Sequence, residues 1–389
     1  MPGMRGHVGL NAQLLSGQAG YRSAGIHGYI YHLLHHLPQA DPTFRYTVFT
    51  GRGRPVPSGG PGQQATLTVR TTRWPTERPL VRILWEQVVQ PWALRQARVD
   101  LLHALAFVAP LWTPCPTVIT VHDLSFLRFP ERFRPANRLY LTWMTRLSAR
   151  RARRIIAVSR YTRSEVVRLL GFPEERVDVV VHGVDSTRFH PYPPAQVAAF
   201  RQARGLPERF ILFVGTLEPR KNLPALLRAF ARLREQRPEE EITLVIVGGK
   251  GWYYDPLFAQ VRALGLSDRV RFPGFVPDAE LPLWYNAATL FVYPSLYEGF
   301  GMPLLEAMAC GTPVIAADTS ALPEVVGEAG LLVPPDDVEG LAGAMMRLLG
   351  DDALRLHLRE RGQAQAARFT WAQTASQTVA AYRRALQDG

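Results

Sequence analysis

Short runs of β-branched and apolar residues alternate along this chain with longer stretches in which apolar positions recur every three or four residues. His7–Asn11, Tyr46–Thr50, Asp100–His103, Thr117–Val121, Arg154–Val158 and Asp178–Val181 read as strands. Helical patterns lie between some of them, over Gly25–Leu37, Leu80–Ala97, Pro135–Ala152 and Ser159–Leu170. The rhythm restarts with Phe210–Val214, Thr243–Val247, Val270–Phe272, Leu290–Tyr293, Pro313–Ala316 and Gly330–Val333. Strand–helix alternation predicts parallel sheets covered on both faces, and two such blocks predict an α/β chain of two doubly wound, Rossmann-like domains. His190-Pro191-Tyr192-Pro193-Pro194 can continue neither a helix nor a central strand, which sets the expected domains at 1–190 and 191–370. Arg52–Gln63 reads as a surface loop, and Trp371–Leu386 as a closing amphipathic helix. Ligands of open α/β sheets bind beyond the carboxyl ends of the strands, so a cleft between facing domains is the expected active site.

Composition narrows the picture. The 389 residues are 47% hydrophobic and 20% charged, which suits two folded domains and argues against disorder. No apolar run approaches the ~20 residues of a membrane span. The first twenty residues lack the pattern of a secretory signal. Cys115 and Cys310 are far apart and lack metal-ligand spacing, so both read as free thiols in a reducing, cytoplasmic setting.

Charge is uneven. Residues 1–190 hold 25 of the 45 bases but 11 of the 33 acids, so the overall +12 sits entirely in the first half. Arg128–Arg154 alone carries nine arginines and one acid, Glu131, with Leu139, Tyr140, Trp143, Met144 and Leu147 interleaved. A basic amphipathic helix of this kind suits peripheral contact with an anionic membrane, or a core-packed helix with a solvated basic face. No aromatic-and-basic module for nucleic acid is present, so no nucleic-acid partner is expected.

Two segments carry chemistry. Glu298-Gly299-Phe300-Gly301-Met302-Pro303-Leu304-Leu305-Glu306 follows an expected strand. Its glycines permit a tight turn, and Pro303 suits the opening of a helix whose positive end can meet an anion. The bland reading makes Glu298 a helix cap and Glu306 an ordinary first-turn acid. Gly215-Thr216-Leu217-Glu218-Pro219-Arg220-Lys221-Asn222-Leu223 places two cations beside an N-cap-like Asn222 after another strand. Arg220 offers a diphosphate a forked donor and Lys221 a point charge. Lys221 is one of only two lysines; the other is Lys250. Neither G-x-G-x-x-G after a first strand nor G-x-x-x-x-G-K-[ST] is present, which disfavours a nicotinamide cofactor and ATPase activity.

Taken together, the Gly215–Leu223 segment, Phe272-Pro273-Gly274-Phe275-Val276-Pro277, and Tyr293 through Glu306-Ala307-Met308-Ala309-Cys310-Gly311-Thr312-Pro313-Val314 strongly resemble glycosyltransferase family 4. Ala24-Gly25-Ile26, Val121-His122-Asp123, Ala157-Val158-Ser159 and His182-Gly183-Val184-Asp185 extend the resemblance through the first half. The segment from His122 to Phe126 onward is similar to mannosyltransferase-like members. The resemblance implies GT-B architecture, with the two domains facing a central cleft and the helix from residue 371 crossing back to the first domain. It implies retention of anomeric configuration, no bound metal and no cofactor beyond a nucleotide diphosphate sugar, with GDP-mannose the best match.

By position, Arg220 and Lys221 fall on the donor pyrophosphate clamp and Gly215 on the donor side. Glu306 falls on the ribose ligand, and Glu298 with the backbone of Gly299, Phe300, Gly301 and Met302 on the sugar-side contact. Val276 falls on the backbone contact to the base, Gly25 on the loop over the phosphates, and His122 near the transferred sugar. His27 stands where the family usually has glycine, and His182 where it has asparagine. The implied partners are the sugar nucleotide and a polysaccharide, oligosaccharide or lipid-linked acceptor. A sugar-nucleotide epimerase or hydrolase of the same fold, or a non-catalytic sugar-nucleotide binder, stays open. No D-x-D triplet exists, so Arg220, Lys221 and the helix opened by Pro303 are expected to meet the leaving-group charge.

Overall fold

The computed structural model describes residues 6–15, 25–57, 67–130, 135–249 and 254–388. Ala24, residues 58–63 of the expected surface loop, Glu131, Arg132, Arg134 and Lys250 lie outside them. The chain forms two compact units, Met1–Gly183 with Thr370–Gly389, and Val184–Phe369. The division falls at Gly183, ahead of the proline-rich stretch. His190–Pro194 instead leads into the helix Pro194–Ala203 inside the second unit, because Pro194 suits a helix's first turn.

Among the described residues, the first unit has seven strands: β1 Gly6–Asn11, β2 Phe44–Gly51, β3 Leu67–Thr72, β4 Leu101–Ala104, β5 Thr117–Val121, β6 Arg154–Ala157 and β7 Val177–Val179. They pair in parallel in the order β3-β2-β1-β4-β5-β6-β7. The second unit has β8 Phe210–Val214, β9 Thr243–Val247, β10 Val270–Gly274, β11 Leu290–Tyr293, β12 Val314–Ala317 and β13 Leu331–Val333, also parallel, in the order β10-β9-β8-β11-β12-β13. Winding direction reverses between β1 and β4 and between β8 and β11. The loops at the carboxyl ends of those pairs therefore diverge and leave a crevice. Strands β5, β8, β9, β11 and β12 are buried at every position, as parallel strands covered on both faces must be.

Two elements differ from the sequence pattern. Strand β3 sits at the sheet edge with both faces largely solvated, so its Thr-rich sequence shows no apolar alternation. The helix Pro135–Arg151 buries Thr145, Ser148 and Ala149, while Leu139 and Trp143 stay exposed. The small residues are fully buried, Leu141 packs beside them against the core, and Met144 and Leu147 are half-buried.

The last helix, Trp371–Gln387, completes the first unit. It packs along the helix Ile26–Ala40 and buries Trp371, Ala375, Val379, Ala381, Tyr382 and Ala385. Gly183 makes the approach possible, since a Cβ there would lie 2.2 Å from the Trp371 nitrogen. A buried chain of hydrogen bonds crosses the sheet beneath it. Tyr382 Oη meets His103 Nδ1 at 2.7 Å, His103 Nε2 meets Thr120 Oγ1 at 2.7 Å, and Thr120 Oγ1 meets Tyr29 Oη at 3.0 Å. Burial, reinforced by His122, drives His103 down to about 3, so it stays neutral and can donate from one nitrogen while accepting at the other. Arg154 is buried as well, forking onto Asp178 and reaching Asp388 beyond the last helix.

Candidate active site

The second unit's switch point gathers the charged residues. Beyond β8 the chain turns through Pro219–Lys221, and beyond β11 it runs to Glu298. Leu296 N–H donates to the Arg220 carbonyl at 2.9 Å, which ties the two loops together. Arg220 Nη1 donates to Glu298 Oε2 at 2.6 Å and to the Tyr297 carbonyl at 2.7 Å, while Nη2 donates to Glu218 Oε1 at 2.7 Å. Lys221 Nζ donates to Glu298 Oε1 at 2.6 Å and to Tyr293 Oη at 2.6 Å. Tyr293 Oη also donates to Glu298 Oε1, at 3.0 Å. One carboxylate thus receives both cations, one on each oxygen.

The electrostatics follow from that geometry. Burial alone would raise the Glu298 carboxyl, but the charges of Arg220 and Lys221 outweigh it and bring it down to about 2. Burial and the adjacent Arg220 charge pull the Lys221 ammonium below its ordinary value, against the attraction of Glu298. Glu298 is therefore a counter-ion and not a helix cap. Its backbone N–H is held by Ser320 Oγ at 3.0 Å. Asn222 stands at the N-cap position of Leu223–Gln236, yet its left-handed backbone turns the amide away to the Pro335 carbonyl, at 2.8 Å.

The remaining second-unit residues surround this cluster less closely. Gly301, at φ 124°, precedes the helix Met302–Ala309, and a Cβ there would lie 2.9 Å from Leu322 Cδ2. Phe300 is buried against Phe369. Glu306 accepts from Tyr285 Oη at 2.9 Å, and burial holds its carboxyl up at about 7 in spite of that bond. Val276 lines a cavity of about 370 Å³ with Arg204, Arg271, Glu280 and Trp284, none of which belongs to the cation cluster. Gly215 follows β8, and its N–H donates to the Val247 carbonyl at 2.9 Å. The structure thus joins Arg220, Lys221 and Glu298 directly and leaves Glu306 and Val276 on neighbouring elements. The sequence pattern did not single out Glu218, Tyr293, Ser320 or Tyr285. Tyr293 stood there only as the end of an expected strand and the start of a motif segment; a tyrosine closing an otherwise apolar strand was the available signal.

Gly25 and His122 belong to the first unit. Gly25 takes φ 72° immediately before the helix Ile26–Ala40, a conformation that suits glycine. His122 follows β5. Its Nε2–H donates to the Leu105 carbonyl at 2.9 Å, and burial lowers its pKa, so Nδ1 is left as an acceptor for a hydroxyl. Its ring stacks on His182 at 5.7 Å and meets Tyr29 edge-on at 4.8 Å.

Paired cations at a switch point, beside a helix entered through a glycine turn, can hold a diphosphate. Residues 24–188 match the family described as Glycosyltransferase Family 4, and residues 197–365 the one described as Glycosyl transferases group 1. The O-antigen chain mannosyltransferase B of Escherichia coli is 38% identical over 296 residues, 76% of this chain and 77% of that protein. The chain belongs to glycosyltransferase family 4. The serotype-specific mannosyltransferase WbdA of Escherichia coli is 31% identical to this glycosyltransferase over 277 residues, 70% of this chain but 34% of that longer protein. Among solved structures, sucrose-phosphate synthase from Thermosynechococcus elongatus matches with a TM-score of 0.77 at 25% identity, over 98% of this chain and 99% of that one. The glycosyltransferase has the GT-B fold that the sequence resemblance implied.

Proposed function

We propose that this glycosyltransferase moves mannose from GDP-mannose to a polysaccharide, oligosaccharide or lipid-linked acceptor, with retention of configuration and without a resident metal ion. The observation that carries the reading is the Arg220–Glu298–Lys221 cluster at the ends of β8 and β11. A donor diphosphate brings negative charge that the two cations can take over from Glu298. As the bond from the sugar's anomeric carbon to the diphosphate oxygen breaks, its electron pair goes to that oxygen. Arg220 and Lys221 stabilise the charge, at about 3 kcal/mol for each well-placed donor. The acceptor hydroxyl attacks from the same face, and its proton passes to the departing phosphate. Glu298, with the Gly299–Met302 backbone, contacts the sugar in this reading. Glu306 accepts from the ribose hydroxyls, Val276 contacts the base, and Gly25 and His122 serve the phosphates and the sugar.

The two Escherichia coli relatives are named mannosyltransferases, which supports mannose as the transferred group. A cytoplasmic protein touching the membrane through residues 128–154 would meet a lipid-linked acceptor there. Among the described residues, no helix is long and apolar enough to cross a membrane. The test is turnover against a panel of sugar nucleotides, with the anomeric configuration of the product read by NMR. GDP-mannose should give an axial α-linkage, with activity unchanged by EDTA. Preference for another donor overturns the mannose assignment, inversion overturns the same-face attack, and full activity of Arg220→Ala overturns the donor site itself.

A further inference from the structure

In the first unit, the helical stretch Pro79–Ala97 is interrupted by a π turn at Trp85–Val89, where Gln90 N–H donates to the Trp85 carbonyl five residues back. Pro91 accounts for the widening, since it has no N–H to give and its ring crowds the carbonyl four residues before it. The wide turn has a geometric result. Leu80, Leu84, Val88 and Trp92 follow at four-residue spacing, and each is more than half exposed. In an α-helix of 3.6 residues per turn, every four-residue step over-rotates by about 40°, so such a series spirals off one face. A π turn takes more residues per revolution and swings the later members back toward the line of the first. The other side of the stretch packs inward through Trp85 and Leu94. Turns of this kind recur at functional sites.

The stripe has neighbours. Gln87, beside Val88, accepts from Leu111 N–H at 3.0 Å and donates to the Ala109 carbonyl at 3.3 Å, holding the segment that presents the exposed Trp112. Ala109 N–H donates to Ser148 Oγ at 3.0 Å, which links the same segment to the buried face of the helix Pro135–Arg151, whose Leu139 and Trp143 are exposed on the opposite side. Bases predominate. Arg95, Arg138, Arg146 and Arg150 are exposed on the two helical stretches, and Arg78 and Arg98 flank the first of them together with the exposed acids Glu77 and Asp100. The two helical stretches carry a single acid, Glu86, which is buried and accepts from Asn11 Nδ2 at 3.1 Å.

We propose that this face docks on an anionic lipid bilayer, with Leu80, Leu84, Val88 and Trp92 entering the boundary between headgroups and acyl chains and the arginines meeting lipid phosphates. The inference rests on the membrane contact proposed above for residues 128–154 and adds an apolar anchor on a different helix. The test is co-sedimentation of the full chain with phosphatidylcholine vesicles, with and without phosphatidylglycerol, at low and high salt. The wild-type chain should bind the anionic vesicles, and less so in high salt. Leu84→Ser/Val88→Ser/Trp92→Ser should bind about 100-fold more weakly, with an unchanged melting temperature and unchanged turnover of a soluble acceptor. Arg138→Gln/Arg146→Gln should bind more weakly and respond less to salt. Wild-type binding by the triple variant, with loss in the arginine variant, overturns the apolar anchor but leaves the 128–154 contact standing. No wild-type binding to either vesicle overturns both. A dimeric wild type and a monomeric triple variant, with equal vesicle binding, would make the stripe an interface between copies and overturn the proposal.

Discussion

Replacing Glu298 by glutamine keeps the shape of the cluster but removes the charge of the carboxylate that is hydrogen-bonded to both Arg220 and Lys221. The fall of the Glu298 carboxyl from 4.5 to about 2 corresponds to about 3 kcal/mol in favour of its charged form. Because the folded-state value is depressed, this stability is fully present above the unfolded value and is lost as pH falls from about 4.5 through about 2. At neutral pH, Glu298→Gln should therefore destabilise the second unit by about 3 kcal/mol, which for a unit of this size lowers its melting temperature by about 6–12 °C. Lys221 feels the loss most. It is buried, its charged form is already disfavoured, and only the Tyr293 hydroxyl would remain among the partners described for its ammonium. The assay is thermal melting at closely spaced pH values, without ligand and with saturating GDP. The wild-type melting temperature should drop between about pH 4.5 and 2 more steeply than that of the variant. GDP should raise the variant's melting temperature more than the wild type's, since its phosphates replace the missing carboxylate. A ligand-free variant as stable as the wild type at pH 7 would refute the reasoning, because the triad would then behave as a solvent-screened surface pair.

Glu306 should show the opposite linkage. Its folded value is raised to about 7, so the unliganded protein loses stability as pH rises from about 4.5 to 7, and Glu306→Gln should flatten that decline in a pH series of urea melts. Arg220→Ala should cut kcat by about 10²–10³, measured at saturating donor with the fold checked by circular dichroism. Gly183→Ala places a Cβ 2.2 Å from the Trp371 nitrogen, so it should cost several kcal/mol and expose the last helix to protease. Gly301→Ala adds a clash with Leu322 to a positive φ, and should lower stability by about 1–3 kcal/mol in chemical denaturation.

The strands were legible because most are buried on both faces, which leaves a continuous apolar signature. Strand β3 escaped because an edge strand solvated on both faces has none. The glycine turns and the Arg220-Lys221 pair marked the site. Sequence spacing could not show that Glu298 binds both cations, because that depends on β8 lying beside β11, and those strands are about 80 residues apart in the chain. Helix Pro135–Arg151 was legible only as two alternatives, a membrane-contacting helix or a core-packed one with a solvated basic face. The sequence pattern did not show that its fully buried positions are the small Thr145, Ser148 and Ala149. The π turn was equally hidden, since a proline within a helical pattern announces an irregularity but not its kind.

The first unit is assembled from two distant parts of the chain, and this bears on its biosynthesis. Residues 184–369 are contiguous, so the second unit has its whole core once Phe369 has left the ribosome. The first unit emerges earlier but lacks Val379, Tyr382 and Ala385, each almost fully buried in the finished protein. Its sheet must wait for about 200 further residues, roughly 10–40 s at ordinary elongation rates. During that interval the seat of the last helix is open and its apolar lining is available to chaperones. The part of the chain made first is thus the last to close, and stop codons in the final twenty residues should strand a folded second unit on an unfinished first one.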